Sequence, residues 1–133
     1  MAEGTDSAPL NLDPRGIRPR LMHAIAVMMF LTMRHDLPVA GWSVEPYQGS
    51  KPGTDEPEGC PTLRGQLHYR GEAMPRAALQ RWARAFDAAV TEQRYLSAGT
   101  IHAHIRFYCR GVPVEIVTVI APGEPEEPGE VDR

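Results

Sequence analysis

The sequence predicts an α+β domain with two layers, in which two helices lie on one face of a four-stranded antiparallel sheet. Two stretches alternate apolar and polar residues with the period of two that is typical of half-buried strands. Two others carry apolar residues at helical spacing. The chain has 133 residues, 42% of them hydrophobic, which is enough for one domain with its own core. The element order is αββαββ.

The predicted domain spans residues 15–121, between two acidic ends. Residues 1–14 and 122–133 are rich in proline, glycine or acidic side chains and have too little apolar surface to offset the entropy of ordering. We expect both ends to be disordered. The first 14 residues lack the basic and apolar regions of a secretory signal, and the longest apolar run, Ala24 to Leu31, is too short to cross a bilayer. The sequence thus predicts a soluble, cytoplasmic protein that contacts no membrane.

The first helix begins near Pro19, which suits the first turn of a helix, and runs through LMHAIAVMMFLTMRH to stop before Leu37-Pro38. Its polar strip is narrow and consists of Arg20, His23 and Arg34. One sheet cannot cover the remaining apolar circumference. The rest of this helix is therefore either central to the fold or part of a dimer interface, and its methionines suit both roles.

Two strands and a loop follow. Val39 to Glu45 is short, with Trp42 and Val44 on one face, and Leu63 to Tyr69 alternates cleanly with its leucines inward. Residues 46–61 between them contain several prolines and glycines and no periodicity, so we expect a flexible loop.

The second helix is predicted from Pro75 to Arg94. Its apolar half contains Trp82 and Phe86, and its polar half is rich in arginine. Its many alanines favour a helix and permit close approach to a sheet.

Thr100 to Ile120 is predicted to form a hairpin that turns at Arg110-Gly111. In that register one face is almost wholly apolar, and on the other face Arg106 pairs with Glu115. A shift of one residue would turn the apolar row outward. Cys109 then lies on the inner face, as a core thiol. Cys60 and Cys109 are the two cysteines of the sequence, too few for a disulfide scaffold, so we expect both thiols to be reduced.

The element order is also a circular permutation of the ferredoxin-like arrangement, an analogy of topology that carries no function. Short motifs in residues 37–120 resemble small uncharacterised α+β proteins of actinobacteria and their phages. These motifs are Leu37-Pro38 with Gly41-Trp42, Leu63-x-Gly65-Gln66-Leu67, Arg81-Trp82-Ala83 and Gly111-Val112-Pro113-Val114. The resemblance implies no activity and no site residues.

Charge is divided along the chain. Residues 1–14, 46–61 and 122–133 hold eleven acidic and two basic residues, whereas the remaining body holds twelve arginines against six acids. A basic body suits anionic partners, and this indicates a nucleic-acid-binding regulator as an alternative function. Coding bias towards arginine and ordinary surface solvation explain the same pattern. The arginines of that alternative are Arg64, Arg70, Arg76, Arg84 and Arg94.

A second alternative is a metal-binding or catalytic site. His102 and His104 lie two residues apart and therefore point to one side of their strand, and His68 can face the same way on another strand. Histidines on a solvated sheet face explain the same pattern without a metal.

The sequence contains no phosphate-binding glycine loop, no G-x-S-x-G and no H-E-x-x-H, and the acids of the body are dispersed. The first choice is therefore a small non-enzymatic binding or regulatory protein that acts through protein contacts, as a homodimer and without a cofactor. The partner-binding residues are predicted to be Met29 on the first helix and Val117 and Val119 on the outer face of the hairpin.

Overall fold

The computed structural model describes residues 10–14, 16–45, 61–95 and 99–123. They form an α+β fold with two helices and one mixed five-stranded sheet. In chain order the elements are α1 (Ile17–Thr32), β1 (Gly41–Glu45), β2 (Thr62–Leu67), α2 (Ala73–Ala85), β3 (Thr91–Tyr95), β4 (Thr100–Cys109) and β5 (Val112–Ile120). The strands lie in the order β1-β2-β5-β4-β3.

The β4–β5 hairpin forms the centre of the sheet, and its predicted register is confirmed from Ile101 opposite Ile120 to Cys109 opposite Val112. Arg110 and Gly111 make the turn with φ of 51° and 82°. Positive φ at both positions is the type I′ geometry, whose twist matches that of the flanking strands. Glycine adopts such a φ without strain, which explains why this dipeptide marks the turn.

The prediction of a four-stranded, wholly antiparallel sheet is wrong. Strands β1 and β2 form an antiparallel pair that lies beside the β4–β5 hairpin, but β2 and β5 meet in parallel, with Gly65 opposite Ile116. Gly65 is required there, because a Cβ at this position would come within 2.9 Å of both Ile116 Cδ1 and Trp42 Cζ3. The close contact between β1, β2 and β5 thus depends on the absence of a side chain at residue 65.

Helix α2 ends at Ala85 rather than at Arg94, the end predicted from the sequence. Asp87 takes a left-handed φ of 53°, and the Ala88 N–H donates to the Ala83 carbonyl, a helix-terminating pattern. The chain then forms β3, which pairs with β4 at the edge of the sheet. Arg76 on α2 holds this edge strand through two hydrogen bonds to the Glu92 carboxylate, of 3.1 and 3.2 Å.

Both helices pack on the same face of the sheet, as predicted. The core contains Leu63, Ile105 and Ile116 from three neighbouring strands, with Leu31 from α1 and Trp82 from α2. The opposite face of the sheet, called the outer sheet face below, carries the alternate residues of each strand. Among the described residues no helix packs on that face.

Most of the predicted disordered ends and the whole of 46–60 lie outside the described residues. Asp13 is an exception within the first end. Its carboxylate accepts hydrogen bonds from the backbone N–H groups of Ile17 and Arg18 at 2.7 and 2.8 Å, and so caps α1. In the described part of the chain, neither helix has the length and hydrophobicity that spanning a bilayer requires.

Candidate interaction surfaces

Helix α1 is apolar on the side that faces away from the sheet. Its buried residues Ala24, Val27 and Leu31 face the core. At 3.6 residues per turn, Met22, Met29 and Met33 project from a direction about 170° away from that buried row. Their exposed fractions are 70%, 59% and 68%. Met22 and Met29 on α1, with Met33 at its C-cap, are therefore exposed where a surface helix normally carries charged side chains.

Two further residues widen this surface. Ile25 is 39% exposed and lies on one flank of the methionine row, and the exposed Ala26 lies on the other. We call this set the α1 stripe: Met22, Ile25, Ala26, Met29 and Met33. Contiguous apolar surface of this kind marks interaction sites more often than isolated exposed side chains do.

The two ends of the α1 stripe differ in charge. Arg18 and Arg20 are exposed in the first turn, and Ile17–Thr32 contains no acidic residue. Their local counter-charge is Asp13, whose pKa is lowered by hydrogen bonds from the Arg18 and Ile17 backbone and by both guanidinium groups. Arg18 lies within about 40° of the methionine row, whereas Arg20 projects to the opposite side of the helix. A cation at a helix N-terminus adds to the positive end of the helix dipole, so Arg18 makes this end of the α1 stripe positive.

At the other end, beyond α1, Arg34 donates two hydrogen bonds to the Asp36 carboxylate, at 2.9 and 2.8 Å. These bonds lower the pKa of Asp36 to about 2. The Asp36 carbonyl accepts from Arg81 on α2 at 2.7 Å. The segment after α1 is thereby tied to α2, and its charges largely cancel.

The hairpin turn fixes the other contacts of α1. His23 Nε2 donates to the Arg110 carbonyl at 2.9 Å, and the Arg110 guanidinium lies 4.0 Å from the centre of the Phe30 ring. Two residues of the predicted polar strip of α1 contact neighbouring groups, since His23 donates to the turn and Arg34 donates to Asp36. The α1 stripe lies on another side of the helix, where the three methionines are more than half exposed.

The outer sheet face is mostly polar, and its apolar or aromatic residues are Val117, Val119, Pro113, Tyr95 and Tyr108. In one row across the strands, Glu115 lies between Arg64 and Arg106, and its carboxylate accepts from Arg106 Nε at 3.0 Å. In the next row Val117 lies between Gln66 and His104. These rows line a shallow depression of about 340 Å³. Its mixture of opposite charges, amides and imidazoles gives it no strong net charge.

Of the three predicted partner-binding residues, Met29 lies apart from the others. It belongs to the α1 stripe, on the helix side of the sheet. Val117, half-buried, and Val119, 39% exposed, lie on the outer sheet face. One flat contact surface therefore cannot include all three. The methionines of the α1 stripe are more exposed than either valine.

The predicted arginine set is divided in the same way. Arg64 lies on the outer sheet face, whereas Arg76 and Arg84 project from α2 on the helix side. Arg94, predicted to lie on the second helix, is on edge strand β3 opposite Ile101, which places it on the helix side too. Arg76 is engaged by Glu72 and Glu92, and these carboxylates raise its pKa. Arg70 follows β2.

The predicted histidine set is also spread out. His102 and His104 lie on the outer sheet face of β4, and β5 separates that strand from β2, after which His68 follows. His68 lies next to the other edge, since a Cβ on Gly41 of β1 would stand 3.2 Å from its Nε2. Within the described ranges, no group of three or more histidine, cysteine or acidic side chains has the arrangement of a metal site.

One contact on the outer sheet face was not predicted from the sequence. The Tyr95 ring packs edge-on against His102, with ring centres 4.5 Å apart. Tyr95 was outside the predicted elements because the second helix was extended to Arg94. The available signal was the β-branched and aromatic content of Val90, Thr91 and Tyr95, which favours a strand.

Comparison of the chain with protein-family models, with curated proteins and with solved structures found no match in any of the three. The resemblance to actinobacterial and phage proteins therefore stays a prediction.

Proposed function

We propose that this protein is a small non-enzymatic binding or regulatory protein that acts through protein contacts, and that it forms a homodimer through the α1 stripe. The observation that carries the proposal is the solvent-facing row Met22, Met29 and Met33. A helix that is apolar around most of its circumference is normally buried on both sides. In the monomer α1 is buried on one side alone.

The energy of such a contact has the right order of magnitude for a reversible dimer. A symmetric interface buries each methionine of the α1 stripe twice. Covering the exposed parts of six methionine side chains contributes roughly 1–2 kcal/mol each, or about 6–12 kcal/mol in total. Association costs about 4–15 kcal/mol in lost freedom of motion. A dissociation constant of about 1 μM corresponds to a net of about 8 kcal/mol. A dimer at micromolar concentration therefore requires the upper end of the burial term and the lower end of the association cost.

The test is sedimentation equilibrium of the wild type, Met29→Glu and Val119→Glu over a range of micromolar concentrations. Both substitutions place a carboxylate on an exposed apolar position, and they lie on opposite sides of the sheet. We expect a dimer for the wild type and for Val119→Glu, and a monomer for Met29→Glu, because the charge would have to be buried. A wild-type monomer at every concentration would refute the proposal, as would a dimer that only Val119→Glu dissociates.

The nucleic-acid alternative has less support. Its arginines face opposite sides of the sheet, and Arg76 is held by two carboxylates. Binding that weakens steeply with salt and is lost in Arg64→Ala would favour it over the dimer. The histidine alternative has less support as well. His102 and His104 lie on β4, His68 follows β2, and β5 lies between these two strands.

A further inference from the structure

We infer that the partner of the α1 stripe is a second copy of the chain whose α1 runs antiparallel to the first. This inference rests on the proposed homodimer and adds the direction in which the two helices pack. It follows from two properties of the α1 stripe: the placement of charge along it and the spacing of its large and small side chains.

Charge argues against a parallel arrangement. A parallel pair would bring together two positive clusters, each made of Arg18 and the N-terminus of α1, with only the two Asp13 carboxylates nearby. In an antiparallel pair these clusters lie about 24 Å apart, the length of a 16-residue helix. That distance is about three times the Debye length of about 8 Å at physiological salt, so the repulsion is largely screened. The helix dipoles then oppose each other, which is also favourable.

Side-chain spacing fits the same arrangement. Met22 and Met33 are the ends of the α1 stripe, about 16 Å apart along the helix. A twofold axis halfway between them places Met22 of one copy against Met33 of the other. Ala26 and Met29 are symmetric about the same point, so Met29 of each copy lies against Ala26 of the other. A long flexible side chain then packs over a small one at the centre of the interface, which permits close approach of the helices.

Symmetry makes this arrangement self-contained. A twofold contact uses the same surface on both copies, so the α1 stripe is complementary to itself and needs no second site on the chain. The outer sheet faces then point away from the interface in both copies, because α1 lies on the other side of the sheet. The interface is therefore independent of Val117 and Val119.

Disulfide cross-linking distinguishes the two directions. Met22→Cys and Met33→Cys are made separately in a Cys60→Ser background, and each is oxidised alone and as an equal mixture after subunit exchange. Cys109 stays in place, because it is buried and burial raises the pKa of its thiol, which disfavours the reactive thiolate. Tyr108→Cys, an exposed position on the outer sheet face, reports random collision.

The antiparallel arrangement predicts at least about tenfold more cross-linked dimer in the mixture than in either variant alone, since like positions are too far apart for a disulfide. If each variant cross-links alone as well as in the mixture, the helices are parallel, and the inference fails while the homodimer stands. If no sample exceeds the Tyr108→Cys control, the α1 stripe is not the interface, and both the inference and the proposed function fail.

Discussion

Trp82 on α2 contacts the segment that follows α1. Replacing Trp82 with alanine should be among the single substitutions that lower the stability of the fold most. Trp82 is 1% exposed, and its indole Nε1 donates to the Pro38 carbonyl at 2.9 Å. It meets Trp42 edge-on at 5.8 Å and stacks on Phe86 at 6.0 Å. It therefore connects α2 to β1 and to the segment that follows α1.

The expected loss for Trp82→Ala is about 3–5 kcal/mol, the range for removing a buried tryptophan and leaving a cavity. Total stabilities of small domains are about 5–15 kcal/mol, so much of the fold's stability is lost. Trp82→Phe keeps an aromatic ring but leaves the Pro38 carbonyl without its donor, and should cost about 1–3 kcal/mol. The matched control is Arg84→Ala, two residues further along α2 on its exposed side, which should cost less than about 0.5 kcal/mol.

The assay is urea denaturation followed by far-UV circular dichroism, at one protein concentration because dimer dissociation contributes to the apparent stability. With a urea dependence of about 2 kcal/mol per molar, a loss of 4 kcal/mol lowers the midpoint by about 2 M. The reasoning is refuted if Trp82→Ala shifts the midpoint no more than Arg84→Ala, or if Trp82→Phe is as damaging as Trp82→Ala.

Two other predictions concern single contacts. The pKa of the Asp36 carboxyl is lowered to about 2, chiefly by the hydrogen bonds from Arg34. This ion pair therefore stabilises the fold at pH values above the ordinary carboxyl pKa, and the stabilisation is lost as the pH falls towards 2. An NMR titration of Asp36 should give a midpoint near 2 in the wild type, and the midpoint should return towards 3.8 in Arg34→Ala. Gly65→Ala should destabilise the fold by about 1–3 kcal/mol through overpacking. Gly123→Ala is the control for Gly65→Ala, since no atom lies within 4 Å of a Cβ built at residue 123. Equal urea midpoints for these two variants would contradict the packing described around Gly65.

The parts of the fold that were predictable are those specified by local pattern. The hairpin register followed from the alternation between Thr100 and Ile120 and from a dipeptide suited to positive φ. The apolar circumference of α1 was equally visible. It predicted that one sheet could not cover the helix, although the sequence could not tell which residues would remain exposed.

The errors share a physical origin in contacts that are distant in sequence. The parallel pairing of β2 with β5 joins strands about 50 residues apart, and nothing in either strand specifies the direction of its neighbour. Strand β3 is exposed along its whole length and so has no inward apolar row to read. The alanines before it favour a helix, and the left-handed Asp87 that ends α2 is an uncommon conformation for a residue other than glycine.

The central claim is that a second copy covers the methionines of α1 in solution, and their reactivity measures this directly. Oxidation of each methionine by dilute peroxide is followed by peptide mass spectrometry at about 1 and about 100 μM protein, a range over which the dimer should form. The partly buried Met28, on the same helix, is the internal reference. We predict that Met22, Met29 and Met33 react several-fold more slowly at the higher concentration, and that Met22 and Met33 lose this protection in Met29→Glu. Rates that do not change with concentration, and that match those of Met29→Glu, would contradict the account.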